Sequence, residues 1–269
     1  MKYKLIASDM DGTLLNEKSE LTQRTKEAII KAVDAGVIFV TATGRPFSNV
    51  QNVNELFSTE QDMPFIVFNG AAAYLGKSGK LLFERFLDFD LAREAFDIGQ
   101  KLGVPQIIWT GPQLWASHEC KETITYQNLG KVKMSISSNI SEIKDQVEGI
   151  SKVLWIDDPA NVKKLSVEMN AHFNGKLKCV SSMPHFLEFI SNDAGKGTAL
   201  AEVGRLFGID KSEMIAIGDG YNDVGMLKYV GFGVAVENAP DDIKSICKHV
   251  TSSNDNDGVA EVIEKFVLL

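Results

Sequence analysis

Apolar and polar positions along the chain follow two alternating rhythms. The short, largely apolar run Tyr3 to Ala7 has the length of a strand buried on both faces, and residues 3–8 are read as the first strand. A helical rhythm follows: Thr22 is a candidate N-cap, Ala28, Ile29, Ala32 and Val33 share one helical face, and Gly36 ends it. Val37 to Val40 reads as a second buried strand. Thr41-Ala42-Thr43-Gly44-Arg45 lies at its carboxyl end, and Pro46 suits the first turn of another helix. Phe65 to Phe68 forms a third strand that ends at Asn69-Gly70. Repeated βαβ order predicts a parallel sheet.

The pattern changes after residue 70. Two short runs around Gly76-Lys77-Ser78-Gly79 predict a hairpin over about 71–83. From 84 to 189 the rhythm is less regular, with helix-like segments near 90–102 and 159–173 between short strand candidates. After Gly195-Lys196-Gly197 the βα rhythm resumes: a helix to Phe207, a strand from Met214 to Ile217, a helix from Asp223, and a strand from Gly233 to Val236. Val259 to Leu268 closes the chain as an amphipathic helix. The expected fold is therefore α/β: a Rossmann-like parallel sheet with helices on both faces, built from residues 1–83 and 190–269. Residues 84–189 form an inserted α+β domain.

Composition narrows the classes of function. With 269 residues, 44% of them hydrophobic and 24% charged, the chain can bury a full core and is not disordered as a whole. A net charge of −8 argues against nucleic-acid partners and against an anionic membrane surface. Any anionic substrate needs local positive charge. Cys120, Cys179 and Cys247 are odd in number, far apart and without zinc-type spacing, so they read as free thiols in a reducing compartment. The first apolar run breaks at Ser8 and Asp9, too early for a secretory signal, and no stretch is long enough to span a bilayer. A cytoplasmic location is the expectation, as a monomer or weak homo-oligomer.

Four sites at strand ends or helix starts carry candidate chemistry. Asp9-Met10-Asp11-Gly12-Thr13 puts two carboxylates where the first strand ends, which is where ligands of parallel sheets bind. A polar turn uses the same residue types. Two like charges that close need a cation or a shared proton, and one could act as nucleophile while the other moves protons. Thr43-Gly44-Arg45 offers a hydroxyl and backbone N–H groups to a phosphate oxygen, or is a plain strand exit. Lys196 stands in the first turn of a helix, where the macrodipole favours anions; it is a solvated loop lysine or a charge kept for phosphate and nucleophile. Gly218-Asp219-Gly220-Tyr221-Asn222-Asp223 adds two acids at another strand end, either as a capped turn or as further cation ligands. Oxygen-only donors favour magnesium.

Taken in order, DMDGT, TGR, GKG and GDGYND resemble the four motifs of haloacid-dehalogenase-like phosphohydrolases, with spacing closest to the Cof-like phosphatases, whose large α/β cap lies between the second and third motifs. The resemblance implies a phosphatase that hydrolyses small phosphate monoesters through an aspartyl-phosphate. Asp9 would be the nucleophile, a choice over Asp11 that comes from the family, and Asp11 the general acid and base. Magnesium would be held by Asp9, the backbone carbonyl of Asp11 and Asp219, with Asp223 in support. Thr43, Gly44, Lys196, Asn222 and the backbone of Met10 would bind the transferring phosphate. Partners would be small phosphorylated metabolites, sugar phosphates or phosphorylated cofactors.

Within the inserted domain Trp109, Trp115, His118 and His185 could face substrate, although buried aromatics and satisfied histidines are the commoner outcome. Asn69-Gly70 either lines the site or is a plain turn. Two rival functions use the same motifs: a sugar phosphomutase, and a phospho-accepting regulatory module in which the aspartyl-phosphate is a signal.

Overall fold

A computed structural model describes residues 2–50, 61–130 and 132–269. These form two compact units, one from residues 1–45, 50–83 and 195–269, the other from residues 46–49 and 84–194.

The first unit is built on an eight-stranded sheet. Its strands are β1 (Leu5–Asp9), β2 (Ile38–Ala42), β3 (Pro64–Val67), β4 (Ala72–Leu75), β5 (Leu81–Glu84), then β12 (Met214–Gly218), β13 (Phe232–Val236) and β14 (His249–Thr251). The spatial order is β14-β13-β12-β1-β2-β3-β4-β5, parallel from β14 to β3 and antiparallel at β3/β4. The expected parallel core is present, with an antiparallel extension at one edge. The chain winds from β1 outward to β3 on one side and from β12 outward to β14 on the other. The direction of winding therefore reverses between β1 and β12, the place where open parallel sheets bind ligands at the carboxyl ends of their strands.

Helices flank this sheet where the apolar rhythm placed them. In α1 (Gln23–Asp34) the Thr22 side chain accepts from the Thr25 N–H, and Ala28, Ile29, Ala32 and Val33 are buried. It packs against the closing helix, Gly258–Phe266. The helix Lys196–Phe207 packs against a short helix, Val224–Tyr229. Right-handed crossovers in opposite directions put these two pairs on opposite faces. Pro46 precedes a 3₁₀ turn, Phe47–Asn49, and the longer helix expected after it lies outside the described residues. The short helix Asp241–Ile246 and the three-residue β14 have no counterpart in the sequence reading.

The second unit carries a six-stranded sheet of β6 (Gln106–Thr110), β7 (Gln113–Ala116), β8 (Met134–Ile136), β9 (Lys152–Ile156), β10 (Leu177–Met183) and β11 (Phe186–Ser191), in the order β10-β11-β9-β6-β7-β8. Neighbours are antiparallel except β7/β8. α2 (Phe89–Leu102) and α4 (Pro159–Phe173) bury Phe96, Val162 and Phe173 in one cluster with Val153, Trp155, Leu187 and Phe189. A third helix, α3 (Lys121–Gly130), was not expected from the sequence; it buries Thr123 and Tyr126.

Period-two alternation gives the opposite face of this sheet a buried ion pair. Val153 and Trp155 point to the helices, so Lys152 points away; Leu187 and Phe189 do likewise, so Glu188 shares the face with Lys152. Lys152 Nζ donates to Glu188 Oε1 at 2.8 Å, with the two side chains only 1% and 2% exposed. Burial alone would drive the lysine toward neutrality, but Glu188 and Tyr126 outweigh it and keep the ammonium charged, its pKa raised. Removing one partner strands a buried charge, whereas replacing both does not. Lys152→Met should therefore cost about 3–5 kcal/mol, and Lys152→Met combined with Glu188→Leu no more than about 1 kcal/mol. Urea unfolding of the two variants checks this; a double variant as weak as the single one would mean that the pair is itself a net source of stability.

Candidate active site

Four segments bring their polar side chains to the carboxyl ends of β1, β2 and β12. Asp9 is the last residue of β1 and is buried. Pairing across the sheet sets Asp9 level with Ala42, so Thr43 begins the loop directly beside it, and Ser8 level with Ile217, so Gly218 and Asp219 leave β12 at the same height. After Asp9 the strand gives way to a tight loop in which the Leu15 N–H donates to the Met10 carbonyl at 2.9 Å.

Gly12 makes that loop possible twice over. Its φ is +83°, and a Cβ there would stand 2.8 Å from Asp219 Oδ2, so only glycine permits both the turn and the approach of this carboxylate. Thr13 Oγ1 then donates to Asp219 Oδ1 at 2.7 Å, which fixes one oxygen of this carboxylate.

Lys196 supplies the compensating charge. It is the first residue of α5 (Lys196–Phe207), and its ammonium is fully buried between Asp9 Oδ1, a short contact, and Asp223 Oδ1 at 2.6 Å. Asp223 uses its second oxygen on the backbone N–H groups of Asp219 (3.2 Å) and Gly220 (2.9 Å), so one side chain both shapes the 219–223 loop and anchors the lysine. Oxygen atoms of Asp9, Asp219 and Asp223 lie within 4.8 Å of one another. Three carboxylates thus face one ammonium, and the donors are oxygens only. That set fits a hard divalent cation.

The electrostatics carry the same message. Burial, and after it Asp223, pushes the Asp9 carboxyl well above the ordinary range, with Lys196 opposing. Burial also raises Asp219, against the Thr13 hydrogen bond. Lys196 loses solvation, yet Asp223 and Asp9 raise it above its ordinary value, so it stays protonated.

Asp11 is turned elsewhere. Its carboxylate is not among the three; Arg45 Nε donates to Oδ2 at 2.9 Å and Nη2 to Oδ1 at 2.5 Å, a two-pronged pair that fixes the plane of the carboxylate. Arg45 was part of a sequence motif without a role of its own, and the structure gives it one. Thr43 is buried and accepts the Arg45 N–H at its Oγ1, 3.1 Å away. Asn222 donates through Nδ2 to Asn69 Oδ1 at 3.1 Å. Thr13 and Arg45 are the residues that sequence reading left without function, although each stood inside a motif; Asn69, read as lining the site or as part of a plain turn, contacts Asn222. In the second unit Trp109 is buried with its indole N–H on the Tyr126 hydroxyl, Trp115 donates to Thr110, His118 pairs with Ser117, and His185 with the Asp157 carbonyl.

With this geometry in place, comparison with known proteins is informative. The family of haloacid dehalogenase-like hydrolases matches residues 6–263. "Putative phosphatase YxeH" of Bacillus subtilis is 32% identical and aligns over 99% of both chains. The 5-amino-6-(5-phospho-D-ribitylamino)uracil phosphatase YwtE of the same organism is 28% identical over 98% of both. Among solved structures, a haloacid dehalogenase-like hydrolase from Bacteroides thetaiotaomicron superposes with a TM-score of 0.85 at 29% identity, covering 98% of this chain and 99% of that one.

The raised carboxyls of Asp9 and Asp219 have a consequence for stability. A group whose pKa is higher in the fold than in the unfolded chain stabilises most below its unfolded value, here 3.8, and that contribution is lost as pH rises through the folded value. A divalent cation binds the ionised carboxylates, so it should offset the loss. Added Mg²⁺ is expected to raise the unfolding midpoint more at pH 7.5 than at pH 4.5, the stabilisation at a hundredfold excess over Kd being about 2.7 kcal/mol. Asp219→Asn should abolish the shift. Calorimetry with and without the ion reads both, and equal shifts at the two pH values would refute the assignment.

Proposed function

We propose that this chain, a phosphatase that belongs to the haloacid dehalogenase-like hydrolases, cleaves small phosphate monoesters through an aspartyl-phosphate on Asp9, with Mg²⁺ as cofactor. The observation that carries the reading is the buried Lys196 ammonium held by Asp9 and Asp223, with Asp219 in reach of both acids. One cation among three carboxylates leaves room for a second positive charge and for a negatively charged group that both cations attract.

Each residue then has a task. Asp9, the backbone carbonyl of Asp11 and Asp219 would hold Mg²⁺, with Asp223 in support; the ion, when bound, neutralises phosphate charge and aligns it with Asp9. Thr43, Gly44, Asn222 and the backbone of Met10 bind the phosphate oxygens, and Lys196 offsets their charge as it builds in the transition state. An Asp9 oxygen forms a bond to phosphorus while the bond to the leaving oxygen breaks, and Asp11 gives that oxygen a proton. Asp11 then takes a proton from water, which attacks phosphorus; the Asp9–phosphorus bond breaks and inorganic phosphate leaves. Arg45 grips both Asp11 oxygens and so favours the carboxylate that takes the proton from water; for the first transfer one of these contacts opens and the freed oxygen carries the proton. The chemistry is mostly positioning and charge neutralisation, which suits a carboxylate that is a weak nucleophile in water.

Residues 84–189 act in this reading as an inserted cap that chooses the substrate. The relative named for a phosphorylated ribitylaminouracil supports the class of small phosphorylated metabolites, which includes sugar phosphates and phosphorylated cofactors. Among the described residues no helix is long and apolar enough to cross a membrane, and the three free cysteines suit a cytoplasmic setting.

Asp9→Asn should lower hydrolysis of an aryl phosphate in Mg²⁺ by at least about a thousandfold without loss of the folded circular-dichroism spectrum. Turnover within tenfold of the parent removes Asp9 as nucleophile. With a sugar phosphate, release of inorganic phosphate supports the hydrolase; isomerised sugar phosphate points to a mutase, and a long-lived phosphoenzyme without turnover to a regulatory module.

A further inference from the structure

The turn after β3 is strained in a way that joining two strands does not require. β3 ends at Val67 and its antiparallel neighbour β4 begins at Ala72, with Val67 opposite Ala72. A hairpin connection accounts for positive φ at an Asn-Gly pair. It does not account for Phe68, a bulky residue at φ +51°, followed by Asn69 at +54° and Gly70 at +94°. Left-handed backbone at a buried phenylalanine is strained and persists only where its surroundings fix it.

Each residue of the turn meets a different part of the active site. The Phe68 N–H donates to the Arg45 carbonyl at 3.1 Å, and the Asn69 N–H to the Thr43 carbonyl at 3.0 Å, so the Thr43–Arg45 loop is pinned from outside. Gly70 lies against the backbone that leads into Lys196; a Cβ on it would stand 2.2 Å from the Gly195 carbonyl oxygen. The Asn69 side chain, buried, reaches across 153 residues of sequence to Asn222. That contact has a direction. Asn69 Oδ1 accepts and cannot donate, so while Asn69 keeps this orientation the Asn222 amide presents its nitrogen to it. One N–H of Asn222 is used on Asn69, which leaves the second for a phosphate oxygen in the proposed site.

We propose that Asn69 is a positioning residue of the phosphate site: it locks the Asn222 amide as a donor, and its left-handed turn is the brace that makes the lock possible. The proposal rests on the phosphatase reading and on Asn222 as a phosphate ligand. It assigns to the Asn-Gly after the third strand a purpose beyond reversing the chain.

A double-mutant cycle tests it. Asn69→Gly tolerates the left-handed backbone while deleting the side chain, and Asn222→Ala deletes the group it acts through. In the full-length protein with Mg²⁺, Asn69→Gly should raise KM for an aryl phosphate and Ki for inorganic phosphate about tenfold each, the weight of one hydrogen bond to a charged group, with a smaller change in kcat. Asn222→Ala should do the same. In the Asn222→Ala background Asn69→Gly should add less than about twofold, since the lock has nothing left to hold. A full, independent effect of Asn69→Gly in that background overturns the proposal, as does an unchanged Ki in the otherwise native protein. Asn69→Ala, run through the same cycle, must agree and guards against poor folding of the glycine variant. Wild-type protein that neither hydrolyses the aryl phosphate nor is bound by inorganic phosphate overturns the phosphatase reading and this one with it; a competent wild type with an additive cycle overturns only the role of Asn69.

Discussion

The burial of one ammonium among three carboxylates is the constraint on which the first unit turns. Lys196 is inside the protein because α5 begins at the carboxyl ends of the strands, and it remains charged because Asp9 and Asp223 replace the water it gave up. A lysine at a helix start opposes the macrodipole, so its position is explained by what it faces and not by helix stability. The sheet supplies the rest of the geometry. Asp9 and Asp219 leave adjacent parallel strands at one level because β1 and β12 pair in register, and the winding reverses between them, so no crossover helix starts in that gap.

Much of this was legible in the sequence, for identifiable reasons. β1, α1, α2 and α4 have runs or faces with the correct period, and their ends carry caps or glycines. Asp9, Lys196, Asp219 and Asp223 stood at strand ends or helix starts, where parallel sheets bind ligands and where a lysine opposes the macrodipole. The helix Lys121–Gly130 was not legible, because Thr123, Ile124 and Thr125 favour strands and only Thr123 and Tyr126 turn inward. β14 is too short for any period to register.

Side-chain partners between loops were the least legible feature. That Asp11 would turn to Arg45, 34 residues away, depends on where the chain leaves its strand after Asp9; an extended strand would have kept both acids on one side. The Asn69–Asn222 contact depends on three consecutive left-handed residues, a conformation that asparagine and glycine tolerate and that nothing in the sequence imposes on Phe68. Such contacts arise from the assembled sheet and not from local preference.

Among the described residues, the two buried lysines then separate structural from functional charge. Lys152 and Lys196 are equally hidden, both are hydrogen-bonded to carboxylates, and both hold their proton against burial. What differs is the balance around them. Lys152 meets the Glu188 carboxylate near the Tyr126 hydroxyl, one acid against one base. Lys196 meets two carboxylates with a third adjacent, and burial drives Asp9 and Asp219 toward their neutral forms because that excess is uncompensated. A folded chain does not gain stability from such an imbalance. It keeps one where a ligand of opposite charge completes it, and the three carboxylates gathered at the strand ends beside Asp9 fit a cation.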